Sequence, residues 1–464
     1  MSTTINCFEE KVIKNHRLPS EWQSQEALDG LLAFLQQNWE QRTALFTDIS
    51  VSSKQQYLSF TGQKGIRTNN YVGTIVYKGQ KLNIFPKVFR EDKDDDDTSE
   101  LDLKHLMHNL TLWIEYCNKM DYPYINITSE VGENDDLKEL FITLFVKYLQ
   151  AAFDRGMFYK YEDVVEDCKT IKGKPNIKDY LVNKYPNGVQ DTFECEFSTF
   201  EIDNLFNRII KCVCKSIMNE TSVLNQKQLR RIIMKLNDVA DVRCVPSDCD
   251  KIRLNYLQRR YRVVLSLCKM FLLNKTTTYD LDKTDSFCFL FPTEMLFEGF
   301  IGGFIKNALE GEADVILQES SDSLVDDIEY GGVHYGHAFQ LRHDIFVKHK
   351  EKGIFILDTK YKQTTRFEGS ENIYNQLTNE IDIQDIRQVG AYAITKGTSD
   401  VYLLYPLFRY EDKEPSPAFM TKKLRFQGNE YTIKVHVIRL PFVFEEDVEA
   451  TKKKLKAVIE SVFE

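Results

Sequence analysis

The stretch QLRHDIFVKHKEKGIFILDTKYK, residues 340–362, decides the fold that we expect for this chain. Two strand-like runs, residues 341–346 and 354–357, flank a polar turn that closes on Gly353. Short apolar runs joined by a polar turn that contains glycine are typical of a β-hairpin. The sequence therefore predicts two paired strands at this point of the chain.

Acids interrupt both of these runs. Asp344 lies in the first predicted strand, and Asp358 lies where the second strand ends. Lys360 follows Asp358 at a spacing of two, so in an extended strand both side chains project from the same face. An unpaired charge in a buried strand is costly, which indicates a site. Two carboxylates and an ammonium at one sheet end suit a hard divalent cation that positions water against a phosphate.

Two predicted helices flank the hairpin in sequence. Residues 292–309, PTEMLFEGFIGGFIKNAL, have apolar residues at helical spacing and include Glu298. Two interpretations of Glu298 remain open, a solvated helix face or the site itself. Residues 382–394, DIQDIRQVGAYAI, carry an apolar stripe, and Gln388 and Tyr392 stand four apart on one face.

These polar residues follow one another in a defined order along the chain, which is Glu298, Asp344, Asp358-x-Lys360 and Gln388-x-x-x-Tyr392. The order resembles that of the PD-(D/E)XK nuclease superfamily. His343 stands where the superfamily's name has proline, a position at which proline is frequently absent. Asp314 is a rival first acid, but a long loop-like stretch separates it from Asp358, so we favour Asp344.

The whole chain limits the classes of function. Its 464 residues allow two or three domains, and 42% hydrophobic and 28% charged residues are typical of globular proteins. The net charge of −10 is unfavourable for a general DNA-binding protein. The ten cysteines form no C-x-x-C pairs, which predicts reduced, mostly buried thiols. With no signal-peptide pattern, membrane-spanning run or P-loop, we expect a cytoplasmic protein that binds neither membranes nor, by itself, nucleotide phosphates.

The N-terminal part carries a second resemblance. Residues 71–77 and 81–85 are β-prone runs joined around Gly79, and the pattern becomes helical after about residue 100. Four N-terminal segments resemble the McrC family, the nuclease subunit of McrBC-type modification-dependent restriction systems: YVGTIVYKGQKLNIFPKV (71–88), RGMFYKYEDVVEDCKTIKGKPNI (155–177), STFEIDNLFNRIIK (198–211) and RRYRVVLSLCKMFL (259–272). The resemblance continues through FPTEMLFEGF and ILDTKYK and spans roughly residues 65–410.

The resemblance implies an α/β fold, α+β overall. A mixed β-strand and helical region, β-rich to about residue 90, would be followed by a PD-(D/E)XK nuclease domain with a central mixed sheet flanked by helices. We place a partner-docking region at residues 1–280 and the endonuclease domain at residues 281–464.

The resemblance also implies a Mg²⁺-dependent DNA endonuclease subunit, with Mn²⁺ as an alternative metal. Asp344 and Asp358 would hold the metal with the carbonyl of Thr359 as a third ligand, and Lys360 would orient or deprotonate the attacking water. Glu298 would bind a second metal or order metal-bound waters. The helix residues Gln388 and Tyr392 would form the wall of the site and touch the DNA backbone.

The expected partners are modified double-stranded DNA and a separate McrB-like AAA+ GTPase hexamer, which the chain would stimulate. Tyr71, Pro86 and Lys87 are our candidates for part of the contact with that hexamer. Two alternatives stay open, which are a stand-alone PD-(D/E)XK nuclease and a non-catalytic adaptor with a vestigial nuclease fold.

Overall fold

The structure is a computed structural model. It describes residues 4–40, 54–60, 65–90, 103–117, 137–189, 191–276, 286–362, 381–409, 418–426, 429–445 and 447–463. The chain forms two compact units: unit 1 comprises Met1–Glu40, Phe46–Leu140 and Leu281–Glu464, and unit 2 comprises Gln41–Leu45 and Phe141–Asp280. Unit 1 takes residues from both sides of the boundary predicted near residue 280, which as a functional division stays a prediction.

The N-terminal part of unit 1 is rich in strands. Its elements are β1 (Thr4–Phe8), β2 (Val12–Lys14), α1 (Gln25–Glu40), β3 (Leu58–Phe60), β4 (Gly65–Thr68), β5 (Tyr71–Tyr77), β6 (Gln80–Phe85) and α2 (Leu103–Tyr116). Strands β5 and β6 form the predicted hairpin. Its turn residues Lys78 and Gly79 have φ angles of 50° and 75°, as a type I′ turn requires.

Unit 2 is mainly helical. Its elements are α3 (Leu137–Asp154), β7 (Lys160–Cys168), β8 (Lys174–Pro175), α4 (Ile177–Asp179), β9 (Phe193–Glu201), α5 (Leu205–Ile217), α6 (Val223–Lys235), α7 (Pro246–Asp250) and α8 (Arg262–Thr276). Helix α5 begins after Asn204, whose side chain accepts a hydrogen bond from the backbone N–H of Asn207 at 3.1 Å. The ten cysteines of the two units are all free, and nine of them are buried.

The C-terminal part of unit 1 holds the predicted nuclease segments. Its elements are β10 (Phe287–Pro292), α9 (Thr293–Ala308), β11 (Ala313–Glu319), β12 (Ser323–Val325), β13 (Glu329–Tyr330), β14 (Val333–His334), β15 (Ala338–Gln340), β16 (His343–His349), β17 (Gly353–Thr359), α10 (Ile383–Lys396), β18 (Asp400–Leu407), β19 (Ala418–Phe426), β20 (Asn429–Pro441) and α11 (Val448–Val462). Strands β16 and β17 pair antiparallel, which confirms the predicted hairpin.

A mixed sheet of six strands organises this part, in the order β11-β16-β17-β18-β20-β19. Strands β17, β18 and β20 run parallel to one another, and the other neighbours are antiparallel. Helix α10 lies in the connection between β17 and β18, as a parallel pair requires. Strand β18 is buried along most of its length, which is typical of a parallel strand covered on both faces. The sheet and its helices confirm the predicted mixed α/β fold.

The N-terminal strands and the nuclease segments share a second sheet, of order β1-β6-β5-β10. Strand β10 therefore leads from that sheet directly into α9. Helix α9 needs glycine at two positions of close approach. A Cβ at Gly299 would lie 2.1 Å from the Sγ of Cys117, and one at Gly302 would lie 2.9 Å from a methyl carbon of Leu317 on β11. The close packing of Gly299 against Cys117 and of Gly302 against Leu317 fixes the position of α9 and therefore of Glu298. No helix among the described residues is both long and apolar enough to cross a membrane.

Candidate active site

Asp358 lies near the carboxyl-terminal end of β17 and is 0% exposed. The Nζ of Lys360 lies 2.7 Å from its Oδ2, so the two side chains project together as their spacing predicts. Apart from this ion pair, the carboxylate oxygens of Asp358 have no hydrogen-bond partner within the described residues. Burial raises the pKa of Asp358, and the Lys360 charge offsets this only in part. The site therefore contains a buried acid whose oxygens are open to a further ligand.

Asp344 reaches the same place from β16. Thr359 donates two hydrogen bonds to its Oδ2, one from the backbone N–H and one from Oγ1, both at 2.8 Å. Desolvation of the Asp344 carboxyl, followed by repulsion from Asp358 and Glu298, raises its pKa to about 8. The structure thus brings the two predicted metal-binding acids together. The role of the Thr359 carbonyl as a ligand stays a prediction.

A chain of hydrogen bonds orients Lys360 from α10. Its ammonium donates to Oε1 of Gln388 at 3.0 Å, and Nε2 of Gln388 donates to the hydroxyl of Tyr392 at 2.5 Å. That hydroxyl in turn donates to the backbone carbonyl of Arg342, just before β16, at 2.6 Å. The Gln-x-x-x-Tyr pair thereby joins Lys360 to the strand that carries Asp344. Tyr392 is only 2% exposed, which fits the wall of the site better than direct contact with DNA.

Glu298 is partly buried on α9, and its Oε1 accepts a hydrogen bond from Gln318 at 2.9 Å. Arg342 donates to the other end of the Gln318 amide. The negative charge of Glu298 contributes to the raised pKa of both Asp344 and Asp358, so its carboxylate belongs to their surroundings. We call Glu298, Asp344, Asp358 and Lys360 the Asp358 cluster.

Comparison with known proteins identifies the family. The family model described as "McrBC 5-methylcytosine restriction system component" matches residues 66–406. The chain belongs to the McrBC family. This confirms the family that the sequence motifs predicted. A search of curated proteins found no match.

Solved structures agree with the fold of the McrBC family. The refined half-complex from the tetradecameric assembly of Thermococcus gammatolerans McrB AAA+ hexamers with bound McrC contains a similar chain, with a TM-score of 0.61 and 17% identity over 99% of this chain and 100% of that chain. The cryo-EM structure of the T. gammatolerans McrBC complex contains another, with a TM-score of 0.46 and 22% identity over 66% of this chain and 88% of that chain.

A second group of ligand-type side chains in this McrBC-family chain was not predicted. Glu319, Asp322 and His343 place one ligand atom each within 4.8 Å of the others, close enough to hold a metal ion. However, the Nζ of Lys396 already lies 2.6 Å from Asp322 and 3.4 Å from Glu319. We call these four residues the His343 cluster. An ammonium occupies the place between its acids, so this cluster fits a cation less well than the Asp358 cluster does.

Asp385 on α10 is a further residue that the sequence analysis missed. It is buried and lies 3.9 Å from the Nζ of Lys360 and 2.8 Å from that of Lys362. A signal was present, because Asp385 stands three residues before Gln388 and so shares its helix face. The rival acid Asp314, by contrast, is exposed and pairs in register with Lys348, away from Asp344.

The residues proposed to contact a partner lie elsewhere. Tyr71, Pro86 and Lys87 are all buried within unit 1. The ammonium of Lys87 lies 2.8 Å from Glu10 and 4.9 Å from the ring centre of Tyr361. In this structure the three side chains offer little surface to another protein. Their role in partner contact stays a prediction.

The Asp358 cluster fits a divalent cation on charge and on donor chemistry. It brings three carboxylates together with one ammonium, and apart from the ion pair with Lys360 the oxygens of Asp358 have no hydrogen-bond partner among the described residues. Uncompensated buried carboxylates are costly unless they are protonated or bind a cation. Carboxylate oxygens are also the ligands that Mg²⁺ and Mn²⁺ prefer.

Proposed function

We propose that this chain is the Mg²⁺-dependent DNA endonuclease subunit of an McrBC-type restriction system. The observation that carries the proposal is the buried carboxylate of Asp358, which lies beside Asp344 at one end of the sheet and has the Lys360 ammonium as its ion-pair partner. Membership of the McrBC family and the order of the PD-(D/E)XK motif support it. The reaction is hydrolysis of a phosphodiester bond in modified double-stranded DNA.

The divalent cation would be held by Asp344 and Asp358, with Glu298 facing the same space. When bound, it would polarise a phosphate oxygen and lower the pKa of a coordinated water. The protein's task is to hold its acids ionised and in place. The two hydrogen bonds from Thr359 fix one oxygen of Asp344 and leave the other free for a ligand. The charge of Lys360 opposes the effect of burial on the pKa of Asp358 and so favours its ionised form.

Lys360 has a second task in this proposal. Burial favours its neutral amine, but the nearby carboxylates of Asp358 and Asp344 outweigh burial and raise its pKa, so it stays an ammonium. An ammonium beside the scissile phosphate stabilises the negative charge that develops there as water attacks. Gln388 and Tyr392 hold this charge in one position, which is how a preorganised group lowers a barrier. Lys360 thus orients the water and stabilises charge, and does not act as a base while it remains protonated.

We further propose that a separate AAA+ GTPase of the McrB type works with this chain. The support is the similarity of its fold to a chain in the assembly of McrB AAA+ hexamers with bound McrC. In such a division of labour, the partner would recognise the modification and move along DNA. This chain would stimulate the partner's GTP hydrolysis and cut.

The test separates cutting from stimulation by using one acid on β16 and one on β11. Asp344→Ala should still raise the GTP turnover of the partner but leave methylated DNA uncut, with a loss of about 100-fold or more. Asp314→Ala is the matched control, because Asp314 is exposed and lies away from the cluster. It should retain both activities. The measurements are GTP hydrolysis and DNA cleavage by the full chain with an AAA+ GTPase of the McrB type.

Two outcomes would contradict this proposal in different ways. If the wild-type chain cuts DNA equally well without the GTPase and does not alter its turnover, the stand-alone nuclease is the correct alternative. If wild-type chain and partner hydrolyse GTP together but no metal supports cutting, the adaptor with a vestigial nuclease fold is correct.

A further inference from the structure

A buried carboxylate outside the Asp358 cluster connects the four-stranded sheet of unit 1 to the segment that follows β17. Glu9 directly follows β1 and is 0% exposed. Its backbone N–H donates to the carbonyl of Phe85 at the end of β6, at 2.9 Å, so the residue is fixed to the N-terminal sheet. No sequence motif singled it out, and the proposed chemistry does not use it.

The two oxygens of Glu9 accept three hydrogen bonds. Oε1 accepts from the backbone N–H of Lys87 at 2.9 Å and from the hydroxyl of Tyr361 at 2.7 Å. Oε2 accepts from the hydroxyl of Thr293 at 2.8 Å. Hydrogen bonds to an ionised acceptor are stronger than neutral ones and hold their donors more firmly. Burial nevertheless raises the pKa of Glu9, which is a cost that these donors offset in part.

Two of these donors belong to elements of the Asp358 cluster. Thr293 is the first residue of α9, the helix that carries Glu298. Tyr361 directly follows Lys360, and its ring lies 5.9 Å from that of Phe297, the neighbour of Glu298. One carboxylate therefore links the start of the helix to the end of the catalytic strand.

We propose that Glu9 is a positioning residue for the nuclease site. It fixes α9 and the segment after β17 relative to each other, and so sets how Glu298 approaches Asp358 and Lys360. The inference rests on the proposed nuclease function, which it extends to the N-terminal strand. A misplacement of about 1 Å in a catalytic group can cost on the order of 100-fold in rate, so a distant anchor of this kind affects turnover.

The alternative is that Glu9 only stabilises the fold. Two substitutions that differ in the hydrogen bonds they keep distinguish this alternative from a positioning role. Glu9→Ala removes both acceptor oxygens and leaves the backbone N–H of Lys87 and the hydroxyl of Tyr361 without this partner, while the Thr293 hydroxyl keeps the carbonyl of Asn70 at 3.4 Å. Glu9→Gln keeps one oxygen for Lys87 and Tyr361, and turns its amide towards Thr293, whose hydroxyl can also accept. If Glu9 positions the site, Glu9→Gln should retain most of the activity that Glu9→Ala loses.

The experiment uses the full chain with its GTPase partner and measures kcat and KM for DNA cleavage, GTPase stimulation and calorimetric Mn²⁺ binding. Glu9→Ala should lower kcat and Mn²⁺ affinity by about 10- to 100-fold, as loss of an outer support of a metal site does. KM and GTPase stimulation should not change. Glu10→Gln is the matched control, since the adjacent Glu10 is exposed and its carboxylate contacts the ammonium of Lys87 rather than the backbone N–H that donates to Glu9, and it should behave as wild type.

Tyr361→Phe keeps the test decisive if Glu9→Ala does not fold. It removes one donor to Glu9 but keeps the ring, and it should lower kcat by about tenfold. Wild-type kcat in Tyr361→Phe and in any folded Glu9→Ala would overturn the inference. So would a parallel loss of GTPase stimulation, which indicates a general structural effect. Asp358→Ala in the same assay distinguishes a failure of the Glu9 inference from a failure of the proposed function. If Asp358→Ala still cuts DNA, the proposed nuclease site is itself wrong.

Discussion

Two acidic clusters meet at the start of β16. His343 belongs to the His343 cluster, and the next residue, Asp344, belongs to the Asp358 cluster. In the His343 cluster, Lys396 lies within 3.4 Å of both acids and His343 lies 3.2 Å from Asp322. In the Asp358 cluster, Lys360 faces Asp358 and Asp344, and the charge of Glu298 adds to theirs. The first cluster thus has one ammonium for two carboxylates, and the second has one ammonium for three.

The pKa shifts of the acids run in opposite directions in the two clusters. Burial alone would raise the pKa of Glu319 and Asp322, but their hydrogen bonds and the Lys396 charge lower both. In the Asp358 cluster, burial and mutual repulsion raise the pKa of Asp344 and Asp358. Proximity of ligand-type atoms is therefore a poor guide to a metal site by itself. An excess of buried negative charge is the better guide to a metal site, because such charge is costly unless a cation binds to it.

The largest difference is expected from the same substitution made in each cluster. Asp358→Asn should lower DNA cleavage by about 100-fold or more, because it removes a carboxylate that we propose holds the metal. Asp322→Asn should leave cleavage near the wild-type rate but lower the thermal stability, because it weakens the contacts to Lys396 and His343. Cleavage assays and thermal unfolding of the two purified variants measure both effects.

The reverse pattern would break the comparison. A folded Asp322→Asn that no longer cuts, together with an active Asp358→Asn, would make the His343 cluster the metal centre. Equal losses of activity in both variants would mean that the two clusters act as one site.

A smaller effect is expected from removing Lys396, the ammonium of the His343 cluster. Lys396→Met leaves Glu319 and Asp322 without their ammonium and should lower the free energy of unfolding by roughly 1–3 kcal/mol. Added Mn²⁺ should restore part of this loss, since the three ligand atoms lie within 4.8 Å of one another. Lys396→Arg, which keeps the charge, is the control. If Mn²⁺ stabilises wild type and Lys396→Met equally, the ammonium does not block a cation site.

The sequence predicted the local part of the Asp358 cluster well. Asp358 and Lys360 are two apart on one strand, and Gln388 and Tyr392 are four apart on one helix, so strand and helix periodicity placed each pair correctly. The hairpin brought Asp344 beside them, since antiparallel pairing follows from a short turn. The McrC-like N-terminal segments, continued through FPTEMLFEGF and ILDTKYK, led to the McrBC family, which the family comparison confirmed.

The rest depends on contacts that are distant in sequence. Glu9 and Tyr361 are separated by 352 positions, and no periodicity relates two such residues. Lys396 meets Asp322 through the packing of α10, and β10 joins the N-terminal strands by pairing with β5. That pairing explains why unit 1 includes both ends of the chain. A fragment of residues 1–280, which we expect to contain the partner-docking region, would lack this strand of the sheet.

The smallest expected effect is a difference in how stability depends on pH. In the metal-free protein, the pKa of Asp344 rises from 3.8 in an unfolded chain to about 8. Between these values the folded state binds more protons than the unfolded state, so the free energy of unfolding falls as the pH rises. The lowered pKa values of Glu319 and Asp322 act in the opposite sense, and their contribution is lost only as the pH falls below about 4.

Thermal unfolding in a chelator, measured from about pH 5 to pH 8, tests this difference because Glu319 and Asp322 stay ionised throughout this range. Burial lowers the pKa of His343, which by itself makes the folded state more stable as the pH rises towards 6.5, so the Asp344 contribution is read from the difference between wild type and variant. Asp344→Asn should lose less stability with rising pH than wild type because one titrating carboxyl is gone. Added Mg²⁺ should stabilise wild type more at the upper end, where its ligands are deprotonated. A slope that Asp344→Asn leaves unchanged would show that the excess charge of this cluster is already balanced within the protein.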